Sequence, residues 1–106
     1  MKKSYRLFEL ILAKEGLQYV TEYRFHPTRK WRADYAFIDA NLLVEVEGGL
    51  WIGGRHNRPI SMIKDFEKYN SATMIGWSIL KFTPSQLNEC ATIDMIKEFV
   101  NQRIDK

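Results

Sequence analysis

Apolar positions recur along this chain with two periods, one helical and one of two residues. Over residues 4–15 the apolar residues Leu7, Phe8, Ile11 and Leu12 are spaced by three and four. That spacing predicts a helix with one buried face, capped by Ser4 and ended by Gly16. Residues 18–26 alternate instead, with Tyr19, Thr21, Tyr23 and Phe25 on one side and Val20, Glu22 and Arg24 on the other, so a strand is expected up to Pro27. A second strand follows over 32–37, with Asp34 and Ala36 sharing a face. Asp39-Ala40-Asn41 supplies turn chemistry, and 42–47 reads as a third strand. Residues 61–75 predict a helix with Met62, Phe66, Tyr69 and Thr73 on its buried side, Lys64 and Lys68 on another face, and Gly76 at its end. A strand over 77–82 carries Ile79 and Leu80 inward. Thr83, Pro84 and Gln86 form a helix-start signature. The last helix begins at Thr92 and presents Ile93, Ile96, Phe99, Val100 and Ile104.

The order is α-β-β-β-α-β-α. A meander of three strands, a crossover helix and a returning strand predict an α/β (α+β) fold with a mixed central sheet flanked by helices. At 106 residues, 1–106 form a single domain, large enough for one core. No apolar run approaches the roughly 20 residues of a membrane span. Glu9 interrupts the apolar run near the N-terminus, which therefore reads as a helix rather than a leader. The single Cys90 cannot form an intramolecular disulfide and suits the cytoplasm.

The charge pattern adds more than the net value of +3. In the third strand, Leu42-Leu43-Val44-Glu45-Val46-Glu47, the two glutamates share a face at a spacing of roughly 7 Å. Like charges in so apolar a strand need a compensating cation. A divalent metal held by Asp34 and one or both glutamates would provide it. Basic residues flank this acidic centre: Arg29, Lys30 and Arg32 before it, and Arg55, His56, Arg58, Lys64 and Lys68 after it. Carboxylates for a metal and cations for phosphates are what hydrolysis of a polyanion requires. Between them lies a loop in which Gly48-Gly49 and Gly53-Gly54 bracket Leu50-Trp51-Ile52. Trp51 either completes the core or covers the site. Gly49-x4-Gly54-Arg55-His56 lacks the Lys and Ser/Thr of a nucleotide-binding P-loop, so a substrate-contacting loop is expected.

The element order, Asp34 on the second strand and Glu45-Val46-Glu47 on the third, together with RADYAF, LLVEVEGGLW, GRH, DFEKYN and GWSILKFTP, resembles the PD-(D/E)XK nuclease superfamily. Its small stand-alone phage and bacterial members, akin to the very-short-patch repair endonucleases and the VRR-NUC group, are the nearest in pattern. The resemblance implies a restriction endonuclease-like core and a Mg²⁺- or Mn²⁺-dependent endonuclease acting on DNA, with branched, nicked or mismatched DNA as candidate substrates. It implies metal ligation by Asp34 and Glu45, joined by Glu9 from the first helix and by Glu47. The motif lysine is replaced by Glu47, so the pattern is E-x-E, and Lys68, Lys64 or His56 becomes the candidate cation. Arg29, Lys30, Arg32, Arg55, Arg58 and Lys64 would hold flanking phosphates. A homodimer is the simplest way for so small a domain to cut both strands. The alternative is a non-catalytic DNA-binding module on a degenerate nuclease fold.

Overall fold

A computed structural model describes residues 5–48 and 59–104, with side chains of the second helix from Ile63 onward. The elements are α1 (Arg6–Lys14), β1 (Val20–Tyr23), β2 (Ala33–Phe37), β3 (Leu42–Val46), α2 (Pro59–Met74), β4 (Ser78–Phe82) and α3 (Cys90–Ile104). The expected α-β-β-β-α-β-α order is present, in a mixed four-stranded sheet flanked by helices. The sheet runs β1-β2-β3-β4, antiparallel in its first two pairings and parallel between β3 and β4. A parallel pairing needs a crossover, and α2 lies in that connection.

Local sequence sets the element ends. Gly16 takes φ +76°, and its N–H reaches the Ala13 carbonyl while that of Leu17 reaches Leu12. Gly76 repeats the device at φ +104°, with Gly76 bonding to Thr73 and Trp77 to Ala72. Both are Schellman motifs, which use glycine's freedom to satisfy the last carbonyls of a helix. The β2–β3 turn is one 3-10 turn, Ile38–Ala40, closed by Asn41 in the left-handed region at φ 53°. Thr83-Pro84-Ser85-Gln86 makes a capping box, with the Thr83 N–H donating to Gln86 Oε1 at 2.9 Å. It starts a single 3-10 turn, and α3 begins separately at Cys90.

The two faces of the sheet bury different sets. Phe8 and Leu12 of α1 and Ile93, Ile96 and Val100 of α3 pack on Tyr35, Phe37, Leu42, Val44 and Val46. On the other side Ala72 of α2 meets Phe25, Ala33, Ala36 and Leu43, with Tyr23, Trp31, Trp77 and Ile79 alongside. Ile79 and Leu80 thus point to opposite faces of the sheet. Tyr19 packs on the first side and Tyr23 on the second, and the backbone between them turns at Glu22, a non-glycine residue at φ 50°.

Two expectations about helix faces are corrected. Leu7 of α1 is exposed, the buried stripe being Phe8 and Leu12. On α2, Phe66 and Thr73 face solvent with Ile63 and Met74, while Ala72 is buried and Lys68 and Tyr69 are half-buried. The small Ala72 lets the helix approach the sheet, and Lys68 and Tyr69, one turn before it, point the same way. Ser4 and the Met62 side chain lie outside the described residues.

Phe8→Ala should cost about 3–5 kcal/mol, because it empties a fully closed site. Phe66→Ala should change stability by less than about 0.5 kcal/mol. Guanidinium midpoints of the two variants check this, and a large loss at Phe66 would reverse the orientation given for α2.

Candidate active site

Antiparallel pairing sets Tyr35 beside Val44, and the same register carried one step further sets Asp34 beside Glu45. Both carboxylates share the sheet face of Ala36 and Leu43, beneath α2. The Val46 N–H donates to Asp34 Oδ2 at 2.7 Å, so the aspartate of β2 is held by the backbone of β3. Glu45 is only 6% exposed. Its Oε2 lies 3.1 Å from Lys68 Nζ, yet no donor among the described residues is aligned with that oxygen for a hydrogen bond. Lys68 donates instead to the Arg32 carbonyl at 2.7 Å.

Burial pushes the Glu45 carboxyl up to about 7. Lys68 opposes the rise, and the negative charges of Asp34 and Glu47 add to it. Next along β3, Glu47 is drawn elsewhere. Its Oε1 lies 3.1 Å from Lys81 Nζ and accepts from the Tyr69 hydroxyl at 3.4 Å. Lys81 sits 3.7 Å from the centre of the Tyr69 ring. The Tyr69 phenol is pushed well up, chiefly by burial and then by Glu45 and Glu47, so it stays neutral as a donor.

Glu9 lies on the α1 side of the sheet, where the Tyr35 hydroxyl donates to its Oε2 at 2.7 Å. Among the described residues no three Asp, Glu, His or Cys side chains stand together as a metal-holding group. Asp34 and Glu45 are neighbours, while Glu47 and Glu9 are each engaged by a different tyrosine. Lys68 is the candidate cation that reaches the carboxylates, whereas Lys64 is exposed on α2. Arg29, Lys30 and Arg32 are exposed, Arg29 pairing with Glu67 at 2.9 Å and lying 4.0 Å over the Trp31 ring. Trp51, Arg55, His56 and Arg58 lie outside the described residues. A hollow of about 410 Å³ is at the far end of the sheet between the end of α1, the β2–β3 turn and α3, away from these groups.

Sequence reasoning missed Lys81 and the site role of Tyr69. Lys81 is the register partner of Glu45 across the parallel ladder. The signal was a lone cation in the apolar strand Ser78–Phe82, which the topology returns beside β3.

The chain shares its fold with a homing endonuclease. The match is to the Homing Endonuclease I-Bth0305I Catalytic Domain, with a TM-score of 0.67 and 23% identity over 93% of this chain and 94% of that one. No protein-family model and no curated protein matches the sequence.

In metal-free protein the Glu45 carboxyl should titrate near pH 7, followed by NMR of its side-chain carbon. Between its ordinary value of 4.5 and about 7, the folded chain keeps a proton that the unfolded chain has released. Stability therefore falls as pH rises through that window, by on the order of 3 kcal/mol in all, and the loss is complete above it. Glu45→Gln should flatten that part of the profile, and Lys68→Met should raise the Glu45 midpoint further. An unchanged midpoint in Lys68→Met would remove the coupling.

Proposed function

We propose that this chain is a metal-dependent endonuclease that hydrolyses phosphodiester bonds in DNA. The observation that carries the reading is the Asp34–Glu45 pair, one carboxylate held by the β3 backbone and the other buried with an oxygen to which no donor among the described residues is aligned. Two neighbouring carboxylates so little exposed to water repel each other and cost desolvation beyond what Lys68 offsets, and a hard cation would counter both. The donor set fits Mg²⁺ or Mn²⁺: Asp34 and Glu45 would hold the ion, with Glu47 adjacent on β3. A bound ion would supply an activated water and charge stabilisation at the scissile phosphate.

The chain's own residues do the rest. Lys68, 3.1 Å from Glu45, would take the part of the lysine that the E-x-E sequence lacks, and its charge opposes the burial that favours the protonated carboxyl. The exposed Arg29, Lys30, Arg32 and Lys64, with Arg55 and Arg58, would bind flanking phosphates, and His56 would contact the substrate from the glycine-rich loop. Glu9 positions Tyr35 behind the carboxylate pair. The fold neighbour is a homing endonuclease catalytic domain, which supports the same class of reaction. Two copies acting together would sever both strands.

A second reading has its own observation. Lys68 and Lys81 already neutralise Glu45 and Glu47, as a DNA-binding module that has lost catalysis would allow. Calorimetric titration with Mn²⁺ separates the two, since only an intact site binds the ion through Asp34 and Glu45.

Supercoiled plasmid and branched DNA incubated with Mg²⁺ test the nuclease directly. Asp34→Ala, Glu45→Ala and Lys68→Ala should each lower cleavage by about a hundredfold or more. Full activity in both carboxylate variants would overturn the assignment.

A further inference from the structure

Lys81 is a cation that the metal-and-lysine arrangement does not use. Its ammonium is anchored on two sides, by Glu47 Oε1 at 3.1 Å and by the Tyr69 ring at 3.7 Å. An ammonium has three N–H donors, and this side chain is still 45% exposed, so it retains donor capacity toward solvent. Beside it is a hollow of about 280 Å³ lined by Glu47, Lys81, Phe82, Thr83 and Gln86. Gln86 commits its Oε1 to the Thr83 N–H, and its remaining polar atom, Nε2, carries only donors. Lys68, by contrast, is 16% exposed and occupied by Glu45 and the Arg32 carbonyl.

We propose that Lys81 and this hollow form a phosphate subsite, which binds a backbone phosphate next to the one at the Asp34–Glu45 pair. The proposal rests on the nucleic-acid reading above and adds a contact from β4 to it. Glu47 and Tyr69 fix the ammonium in position before substrate arrives, so little side-chain freedom is lost on binding. Glu47 offsets part of the Lys81 charge, so a phosphate would be held chiefly by the N–H donors that Lys81 and Gln86 Nε2 still have free of acceptors among the described residues at the hollow.

The test is fluorescence anisotropy with a labelled duplex oligodeoxynucleotide in EDTA, over a series of KCl concentrations. Wild type, Lys81→Met, Lys81→Arg and the control Lys97→Met are compared. Lys97, on α3, pairs with Glu15 at the end of α1, away from the site. Methionine keeps the packing on Tyr69 and removes the charge. Loss of one phosphate contact should lower the slope of log affinity against log salt by about 0.9 in Lys81→Met, with wild-type slopes in Lys81→Arg and Lys97→Met. A Lys81→Met slope equal to wild type, with or without a change in stability, makes the Lys81–Glu47 pair structural and overturns the subsite. If wild type itself shows no salt-dependent binding, the nucleic-acid reading fails first and the subsite falls with it.

Discussion

A carboxylate closed off from water is costly unless charge and hydrogen bonds return to it what solvent supplied. Glu45 is in that position, near the end of β3, and the compensation comes from outside its own strand. Lys68 provides it from α2, so the helix has to present its lysine face to the sheet. Ala72, one turn further on, is small enough to let the helix close in. Tyr69, beside Lys68, fills the space toward Glu47 and Lys81. The angular setting of α2, the second core and the geometry of the carboxylates therefore form one connected arrangement. Its consequence at the surface is that Ile63, Phe66 and Met74 remain in solvent.

Asp34 contributes in a different way. Its partner is a backbone N–H of the neighbouring strand, so its position depends on sheet register rather than on a rotamer choice. A slip of one residue between β2 and β3 would put the two acidic side chains on opposite faces of the sheet. The buried Tyr35 and Phe37 of β2 and Leu42, Val44 and Val46 of β3 penalise that slip, because one strand's set would leave their common core. Hydrophobic packing on one side of the sheet thus holds the polar chemistry on the other.

Much of this was legible in the sequence. Alternation in 32–37 and 42–47 placed Asp34, Glu45 and Glu47 on a common face, because strand periodicity is exact and the intervening residues are unambiguously apolar. Gly16, Gly76 and Asn41 marked their turns because few residues accept those backbone angles. The face of α2 was not legible. Periodicity reads apolar residues, and this helix is oriented by an ion pair and an alanine, while its apolar stripe of Ile63 and Phe66 is exposed. Lys81 escaped for a related reason: its partner, Glu47, is distant in sequence and meets it only because β4 returns parallel to β3. Glu9 was placed on the correct helix, but its tie to Tyr35 depends on how α1 lies over the sheet.

The left-handed residue in β1 has an effect beyond its own pair of strands. β1 is an outer strand of the sheet, only four residues long, and Glu22 breaks its pleat. A flat rim of unpaired amides would invite another chain to dock by main-chain pairing. The twist at Glu22 and the charged side chain it carries make that rim a poor template for such pairing.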